Sequence, residues 1–286
     1  MRILLTGRTG QVGSALERAL APVGAVIAVD RSGLDLRDID AIGKKIREFN
    51  PSIIVNAAAY TAVDRAEIER ESAFAVNAAA VGILAEEAKK SGALLIHFST
   101  DYVFNGEKAS PYVETDSPNP LNVYGRSKLE GERAVAASGC RHFILRTSWV
   151  YAPGGRNFVR AILAAAKTKP ELKVVNDQHG APTSSGAIAA AVARILTDAG
   201  ALQKPGGVYH LSAAGETTWY GFALELLSMK GLTTPVMGIS TAEYGAPARR
   251  PKNSLLDNTK MLRTFGLALA DWREGLREVS SKIEIP

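Results

Sequence analysis

A glycine-rich turn stands between the first apolar run of the chain and the first amphipathic segment. Residues 2–6 read RILLT, and residues 7–13 read GRTGQVG. Glycines here let the backbone turn tightly beside a pyrophosphate, and the helix that follows offers its unpaired N–H groups. The spacing is G-x-x-G-x-x-G, and the position between a strand and a helix is what makes it informative. The turn predicts a phosphate-binding site at Gly7, Gly10 and Gly13.

Short apolar runs alternate with longer amphipathic segments through the first half of the chain. Continuous Ile, Leu and Val are typical of parallel strands that are covered on both faces. We therefore predict an α/β fold, a doubly wound parallel (Rossmann) sheet with right-handed crossovers. Strands are expected at 2–6, 25–29, 52–55, 93–99 and 142–147, and helices at 11–20, 41–49, 71–90 and 122–137.

The alternation becomes less regular after about residue 150, where proline- and glycine-rich loops separate the apolar segments. The predicted division is a dinucleotide-binding Rossmann domain over 1–150 and a smaller C-terminal lobe over 151–286 that mainly binds substrate. Some helices of the second half are expected to pack back on the main sheet. Helices are expected at 157–167, 187–198, 219–229 and 272–282, and short strands at 172–175 and 208–211.

Composition excludes several classes of protein. The chain has 286 residues, 46% of them hydrophobic, and lacks the run of about 18 apolar residues that a membrane span needs. One cysteine, Cys140, excludes an internal disulfide and a multi-cysteine zinc site, and we predict no metal site. The net charge of +5 is scattered, so we expect an anionic small molecule rather than nucleic acid as partner. The N-terminal residues lack a secretory pattern, and we expect a cytoplasmic protein.

An acidic and a basic residue stand together at the end of the second predicted strand. Asp30 lies 20 residues beyond Gly10, and Arg31 follows it. An acid at this position binds the ribose hydroxyls of adenosine, whereas an arginine suits a 2′-phosphate. The pair leaves NADPH or NADH open as cofactor. The alternative is a strand-end turn in which Asp30 is a cap.

Tyr124 and Lys128 form a Y-x-x-x-K pentad inside the predicted helix 122–137. The four-residue spacing puts both side chains on one helix face. A lysine ammonium lowers the pKa of a neighbouring phenol, which can give a proton to a carbonyl oxygen as hydride reaches the carbon. Ser99 and Thr100 end the fourth predicted strand, where a hydroxyl can bond the reacting carbonyl or satisfy local backbone groups.

Together these motifs resemble the extended short-chain dehydrogenase/reductase superfamily, and within it the family of dTDP-4-dehydrorhamnose reductases. The resemblance covers nearly the whole chain. The blocks that carry it are GRTGQVG at 7–13, VNAAAYTAVD at 55–64, STDYVF at 99–104, NVYG at 122–125, RTSWVY at 146–151, NDQHGAPT at 176–183, YHL at 209–211 and RP at 250–251.

The resemblance implies an NADPH- or NADH-dependent enzyme that reduces the C4 keto group of a dTDP-linked 4-dehydro-6-deoxy sugar to give dTDP-L-rhamnose. It implies that Tyr124 is the proton donor and that Lys128 also holds the nicotinamide ribose. The implied catalytic residues are Thr100, Tyr124 and Lys128. The matching cofactor positions are Gly10, Gln11, Val12, Asp30, Asp35, Leu36, Ala59, Tyr60 and Thr61, and the matching substrate positions are Thr100, Asp101, Tyr124 and Trp149.

Two aromatic or basic features gain a role only through this resemblance. Trp149 would pack an indole face on the sugar, whereas without the resemblance it is an ordinary core tryptophan. Arg249 or Arg250 would meet the substrate pyrophosphate, or else lie in solvent. Two residues depart from the family pattern. Ala15 stands where some relatives have a glutamate that links them into a magnesium-bridged dimer, and Tyr60 stands where relatives often have a histidine. We expect a monomer or a homodimer, and Ala15 argues against that metal link.

Two other functions compete with the reductase interpretation. A 4,6-dehydratase or 4-epimerase would share the fold. Dehydratases of this superfamily, however, have the sequence Thr-Asp-Glu after the fourth strand, whereas this chain has Thr100-Asp101-Tyr102 and so lacks the second carboxylate. An epimerase would retain its cofactor through purification. The second competitor is a regulatory subunit that binds a dinucleotide without turnover, against which the intact Thr100, Tyr124 and Lys128 argue.

Overall fold

The structure is a computed structural model that describes residues 1–284. In chain order its strands are β1 (Arg2–Thr6), β2 (Ala25–Val29), β3 (Ile53–Asn56), β4 (Leu94–Thr100), β5 (His142–Thr147), β6 (Val150–Tyr151), β7 (Leu172–Val175), β8 (His179–Gly180), β9 (Thr183–Ser184), β10 (Gly207–His210), β11 (Thr217–Thr218) and β12 (Val236–Ile239). Its helices are α1 (Gln11–Leu20), α2 (Ile39–Phe49), α3 (Val63–Ala66), α4 (Arg70–Phe74), α5 (Ala80–Ser91), α6 (Val123–Ser138), α7 (Phe158–Thr168), α8 (Ser185–Thr197), α9 (Trp219–Met229), α10 (Thr241–Tyr244), α11 (Thr259–Phe265) and α12 (Trp272–Ser281). Short 3-10 helices cover Asp101–Val103 and Ala201–Gln203.

Six parallel strands form the central sheet, in the order β10-β5-β4-β3-β1-β2. The chain leaves β1 towards β2 on one side and returns to β3 on the other side. Ligands of open α/β sheets bind beyond the carboxyl ends of the strands at such a reversal. The predicted doubly wound α/β fold is confirmed, and the reversal places the expected site between β1 and β3.

Helices cover both faces of this sheet because neighbouring residues of a strand point in opposite directions. Leu5 of β1 packs in a core with α1, α8 and α11, whereas Leu4 packs in a second core with α2, α5 and α6. Both side chains are fully buried. This two-sided burial explains the continuous apolar runs in the strand sequences.

Parts of the second half of the chain complete the central sheet. The strand β10 pairs with β5, so the strand expected at 208–211 as part of the smaller lobe lies at the edge of the main sheet. Helix α8 lies against α1, and α11 adds Met261 and Phe265 to the same core. A separate core, which includes Phe222 and Trp272, joins α7, α9 and α12. The division at residue 150 stays a prediction.

The helix expected at 71–90 is interrupted by a π-helix, Ala75–Ala79, between α4 and α5. Asn77 of the π-helix is fully buried and bonds both the N–H and the carbonyl of Tyr60. Its Nδ2 also donates to Ser127 Oγ of α6 at 2.9 Å. Apolar periodicity does not reveal a π-helix, which often marks a functional region. The other elements predicted in the first half agree within two residues at either end.

Candidate active site

A cavity of about 1290 Å³ runs along the carboxyl ends of the central strands. It exceeds the roughly 300–1,000 Å³ of a common small-molecule site, which suits a site for two ligands. Asp30 and Leu36 border one end, and Tyr124, Trp149 and Arg250 also line it. Among the predicted site residues, those that line the cavity are Gly7, Gly10, Gln11, Val12, Asp30, Arg31, Asp35, Leu36, Ala59, Tyr60, Thr61, Thr100, Asp101, Tyr124, Lys128 and Trp149.

Gly13 is the predicted cofactor residue that does not line the cavity. A Cβ there would overlap the carbonyl oxygen of Gly7, so Gly13 acts by letting α1 pack against the turn. Gly7 has a φ of +76°, and a Cβ on it would lie 2.6 Å from the backbone N of Ala58. The turn therefore needs glycine at both positions. The side-chain oxygen Oε1 of Gln11 is buried and unpaired within residues 1–284, which leaves an acceptor at the start of α1.

Asp30 closes the turn that follows β2. Its Oδ1 accepts hydrogen bonds from the backbone N of Ser32 at 2.9 Å and of Gly33 at 3.2 Å, and from the Ser32 hydroxyl. These hydrogen bonds, first that of the Ser32 hydroxyl, hold the pKa of Asp30 below its usual value. Asp30 thus caps a turn, which is the alternative that the sequence offered, and it also lines the cavity, where its binding of a ribose stays a prediction.

Two guanidinium groups stand beside this turn. Arg37 Nη2 lies 2.7 Å from Asp35 Oδ2, and Arg31 Nε lies 3.3 Å from the same oxygen. The hydrogen bond from Arg37 is the main reason that the pKa of Asp35 lies well below its usual range. Both arginines line the cavity. The sequence analysis missed Arg37, although a second base two residues after Asp35 was a signal for an anion site.

The start of α6 places the Y-x-x-x-K pair at the cavity wall. Asn122 caps the helix, since its Oδ1 accepts from the backbone N of Gly125 at 2.7 Å. Tyr124 and Lys128 then lie one turn apart on one helix face. Thr100 caps the neighbouring 3-10 helix by accepting from the backbone N of Tyr102 at 3.1 Å. The structure thereby brings Thr100, Tyr124 and Lys128 to one cavity.

The electrostatics of Tyr124 differ from the prediction. Burial raises the pKa of the phenol above its usual value, and the Asp101 carboxylate raises it further. A hydrogen bond with the Thr100 hydroxyl opposes this. The Nζ of Lys128 does not bond the Tyr124 hydroxyl in the described structure but donates to the carbonyl oxygen of Phe98 at 2.6 Å. The predicted lowering of the Tyr124 pKa is therefore wrong in this structure: burial raises this pKa, and the group that opposes the rise is Thr100 and not Lys128.

Lys128 is buried, with 2% of its surface exposed. Burial lowers its pKa to about 8, although Glu132 one turn later favours the charged form. The Glu132 carboxylate binds Arg146 at two points, Nε–Oε1 at 2.8 Å and Nη2–Oε2 at 2.6 Å. It also accepts from the hydroxyl of Ser99. The sequence left two hydroxyls as candidates to bond the reacting carbonyl. The Ser99 hydroxyl bonds the Glu132 carboxylate of this ion pair, whereas the Thr100 hydroxyl bonds Tyr124.

His97, which the sequence analysis missed, contacts Lys128 from the middle of β4. The imidazole is fully buried, and its Nε2 lies 3.4 Å from Lys128 Nζ. Its Nδ1 lies 3.0 Å from Asn56 Nδ2, and Asn56 Oδ1 accepts from Thr6 Oγ1 and from the backbone N of Ala58. Burial keeps the pKa of His97 far below its usual value. Its signal in the sequence was a polar residue inside an apolar run.

Asp101 and Arg250, for which the sequence predicts contact with substrate, both line the cavity. Burial raises the pKa of Asp101 to about 7, against hydrogen bonds of which that from Ser254 is the largest. Arg250 lines the cavity and binds Asp64, with Nη2 2.9 Å from Oδ2. Arg249 is not part of the wall, so of the two arginines that the sequence left open Arg250 lies at the site.

Trp149 does not offer a free indole face. Its ring stacks on that of Trp219, with centroids 3.7 Å apart and planes 9° apart. A Cβ on Gly180 would lie 2.5 Å from the same indole, so the Gly180 backbone packs closely against this ring as well. Trp149 has a φ of +49° and is 9% exposed. The expected packing of a face on the sugar is not available in this structure, and Trp219 is a further cavity residue that the sequence did not reveal.

Tyr60 and Ala15, the two departures from the family pattern, occupy different surroundings. The hydroxyl of Tyr60 donates to Glu69 Oε2 at 2.7 Å, and burial raises the pKa of this phenol. Ala15 is buried in the core beside the sheet. Within residues 1–284, no group of three or more His, Cys, Asp or Glu side chains is placed to hold a metal ion. In the same part of the chain, no helix combines the length and the apolar character of a membrane span.

The chain is similar to known proteins over nearly its whole length. The family described as RmlD substrate binding domain matches residues 1–285. A dTDP-4-dehydrorhamnose reductase of Burkholderia thailandensis is 45% identical over 285 residues, 96% of each chain. One of Escherichia coli is 44% identical over 295 residues, 99% of this chain and 98% of that one. The crystal structure of a Bacillus anthracis dTDP-4-dehydrorhamnose reductase in complex with NADP superposes with a TM-score of 0.92, at 37% identity over 97% of this chain and 98% of that one.

Proposed function

Since the chain belongs to the family of dTDP-4-dehydrorhamnose reductases, we propose that it reduces the C4 keto group of dTDP-4-dehydro-6-deoxy-L-mannose to dTDP-L-rhamnose. The proposed reductant is NADPH or NADH. The observation that carries the proposal is that Thr100, Tyr124 and Lys128 line the cavity that the glycine turn also lines. It is an oxidoreductase in this proposal, and a nucleotide sugar is its substrate.

The turn after β1 fits a dinucleotide. A Cβ at Gly7 would press on the Ala58 backbone, and the buried Oε1 of Gln11 is an open acceptor in the described part of the chain. Bound there, the dinucleotide supplies a hydride. The first turn of α1 would hold its pyrophosphate, and Asp30 its adenosine ribose, with Arg31 and Arg37 on the same side. The remaining contacts would come from Asp35, Leu36, Ala59, Tyr60 and Thr61.

Tyr124 gives the proton in the proposed mechanism. Its raised pKa keeps the phenol protonated at neutral pH, and the alkoxide that develops on the sugar is a stronger base than a phenolate. Thr100 would bond the same oxygen and orient it. Lys128 would hold the nicotinamide ribose, and Asp101 and the Trp149 edge would bound the sugar. Arg250, a guanidinium at the wall, would bind the substrate pyrophosphate.

An absorbance assay tests the proposed reaction. The dTDP-4-keto sugar is generated enzymatically, the 3,5-epimerase is included, and the oxidation of NADPH and of NADH is followed separately. We expect oxidation that depends on this protein, with dTDP-L-rhamnose as product. Binding of the dinucleotide without oxidation of either form would contradict the proposal and favour another keto sugar or the regulatory function.

Tyr124→Phe tests the proton donor. The substitution removes the hydroxyl and keeps the ring, so we expect kcat to fall by about 10²–10⁴-fold while the cofactor Kd changes little. The matched control is Tyr220→Phe, outside the cavity wall, which should keep wild-type turnover. A Tyr124→Phe variant with wild-type rates would refute the mechanism.

The monomer or homodimer and the cytoplasmic location that we expect from the sequence stay predictions. Neither a membrane nor a nucleic acid is a partner in the proposal. Size-exclusion chromatography with light scattering measures the oligomeric state directly.

A further inference from the structure

The hydrogen bonds around Asn56 determine which way its amide faces. Asn56 Oδ1 lies 3.3 Å from the backbone N of Ala58, which can only donate, and 2.6 Å from Thr6 Oγ1. With the amide turned over, its NH₂ group would face the Ala58 N–H. Asn56 therefore presents Nδ2, a donor, to His97 Nδ1 at 3.0 Å.

This donor selects one tautomer of His97. Since Nδ1 accepts a hydrogen bond, the single proton of the neutral imidazole must lie on Nε2. The ring is neutral because it is fully buried in β4 and because an imidazolium would set an Nδ1–H against the Nδ2 donor of Asn56. The Nε2–H consequently points at Lys128 Nζ, 3.4 Å away.

Lys128 can face this N–H either as a charged ammonium or as a neutral amine. An ammonium carries only N–H donors, so its contact with Nε2–H would set two donors against each other. A neutral amine has a lone pair that accepts the hydrogen bond. The second contact of Nζ, its donation to the carbonyl oxygen of Phe98 at 2.6 Å, is compatible with both forms.

Other groups act on Lys128 from the elements around it. Glu132 on the same helix favours the ammonium, but its carboxylate is shared with Arg146 of β5. On the cavity side lie Tyr124 of α6 and Asp101 of the 3-10 helix, both shifted by burial towards their neutral forms. Burial of Lys128 acts in the same direction as the imidazole.

We propose that His97 is a positioning residue that, through its Nε2–H, favours the neutral amine form of Lys128 and so sets the pH range of the reaction. The proposal rests on the proposed function in one respect, that Lys128 serves the reaction. A buried row of polar contacts then connects Lys128 to the end of β1 beside the glycine turn. It runs from Lys128 through His97 and Asn56 to Thr6.

The tautomer of His97 is measured first. The chain has four histidines, so ¹⁵N-histidine spectra can be assigned with single His variants. We expect His97 as the Nε2–H tautomer, without titration between pH 5 and pH 9, a range of about two units on either side of neutrality. An Nδ1–H tautomer or an imidazolium would overturn the proposal, and this measurement needs only the wild-type protein.

Two substitutions then separate the N–H from the shape of the side chain. His97→Phe keeps a ring without the donor, whereas His97→Gln can accept from Asn56 and donate to Lys128. Labelled ¹³Cε of lysine reports the Lys128 pKa, with Lys128→Met for assignment. We expect His97→Phe to raise the pKa of Lys128, with a roughly tenfold higher ratio of ammonium to amine at a given pH, and His97→Gln to restore the wild-type ratio.

Controls and kinetics complete the test. His142→Phe, at the start of β5 and outside the cavity wall, should leave the Lys128 titration unchanged. The pH profile of kcat/KM should move to higher pH in His97→Phe and return in His97→Gln. An unmoved Lys128 titration in His97→Phe would refute the inference. If wild type itself lacks turnover, the proposed function fails, whereas the spectra still decide this inference.

Discussion

The part of the cavity around Tyr124 carries less charge than its residue types suggest. Burial raises the pKa of Tyr124, raises that of Asp101 to about 7 and lowers that of Lys128 to about 8. Each shift favours the neutral form. Arg250, which lines the same part of the cavity, stays charged, and this suits the proposed substrate, whose charge resides on its pyrophosphate and not on its keto sugar.

Arg31 and Arg37 should govern the choice between cofactors. Both border the cavity beside Asp30, and a 2′-phosphate there would gain charge-assisted hydrogen bonds. We expect Arg31→Ala with Arg37→Ala to raise KM for NADPH by roughly tenfold or more and to change KM for NADH much less. Arg133→Ala, which removes an exposed side chain of α6, is the charge control. Equal changes for both cofactors would contradict this assignment.

Site residues that belong to a local sequence motif were predictable from the sequence. Site residues that depend on contacts between distant segments of the chain were not. Tyr124 and Lys128 follow from one spacing within one helix. His97 and Trp219 have no such local signature, because His97 gains its meaning from Asn56 and Lys128, and Trp219 from a ring 70 residues earlier in the chain. The pKa direction of Tyr124 was missed for the same reason, since burial depends on the whole wall.

At the scale of elements, α6 and the π-helix are in direct backbone contact. The carbonyl of Asn77 lies where a Cβ of Gly131 would have to be. Asn77 also bonds Tyr60 and Ser127, so the same residue joins the loop after β3 to the catalytic helix. A change in the spacing of these two helices should therefore reach both the cofactor loop and Tyr124.

Gly131→Ala tests that contact, and Gly82→Ala is its matched control. The new methyl at 131 would overlap the Asn77 carbonyl, so we expect a loss of about 1–3 kcal/mol in the free energy of unfolding. The methyl at 82 would meet the Cβ of Ala134 at 3.5 Å, an ordinary contact, and alanine favours helix. Urea denaturation measures both. A Gly131→Ala protein as stable as Gly82→Ala would show that the helices can separate freely.

The first half was predictable because each strand and helix there carries its own apolar period. The exceptions are instructive: the π-helix depends on side-chain bonds of Asn77, and β10 reaches the main sheet through pairing with β5. Neither contact leaves a periodic trace in the sequence. The same periodicity located the helices and strands of the second half of the chain. It did not show which other helices and strands they pack against or pair with.

Over the whole molecule, late segments of the chain are tied to early ones around the cavity. Asn122 Nδ2 donates to the carbonyl of Arg249 at 2.8 Å, and Asp64 accepts from both Ala248 and Arg250. Tyr112 pairs with the segment at Leu256. The wall of the cavity is thus assembled from both halves, and loss of folding in either half should abolish ligand binding.

The buried Asp101 should shape the pH dependence of global stability. Its folded pKa of about 7 lies above the unfolded value of about 3.9, so its contribution is complete at low pH and is lost as pH rises through 7. Asp101→Asn cannot ionise. We expect the stability of this variant minus that of wild type to grow between about pH 4 and pH 7, by up to about 1.4 kcal/mol for each unit between the two pKa values.

Urea denaturation at a series of pH values measures that difference. Asp40→Asn, at an exposed position at the start of α2, is the matched surface control for the change from Asp to Asn. A difference that is independent of pH for Asp101→Asn would mean that its carboxyl is ionised at no cost in the folded protein.

The stacked indoles of Trp149 and Trp219 give the molecule an optical signal of its own. Two stacked, nearly parallel indoles in van der Waals contact couple their electronic transitions, and such a pair produces a paired band in near-ultraviolet circular dichroism. The third tryptophan, Trp272, is buried in the core against which Trp219 packs, and its ring contacts Phe222. A ligand that separates the two rings would erase the band, so occupancy of this part of the cavity can be read without a label and without turnover.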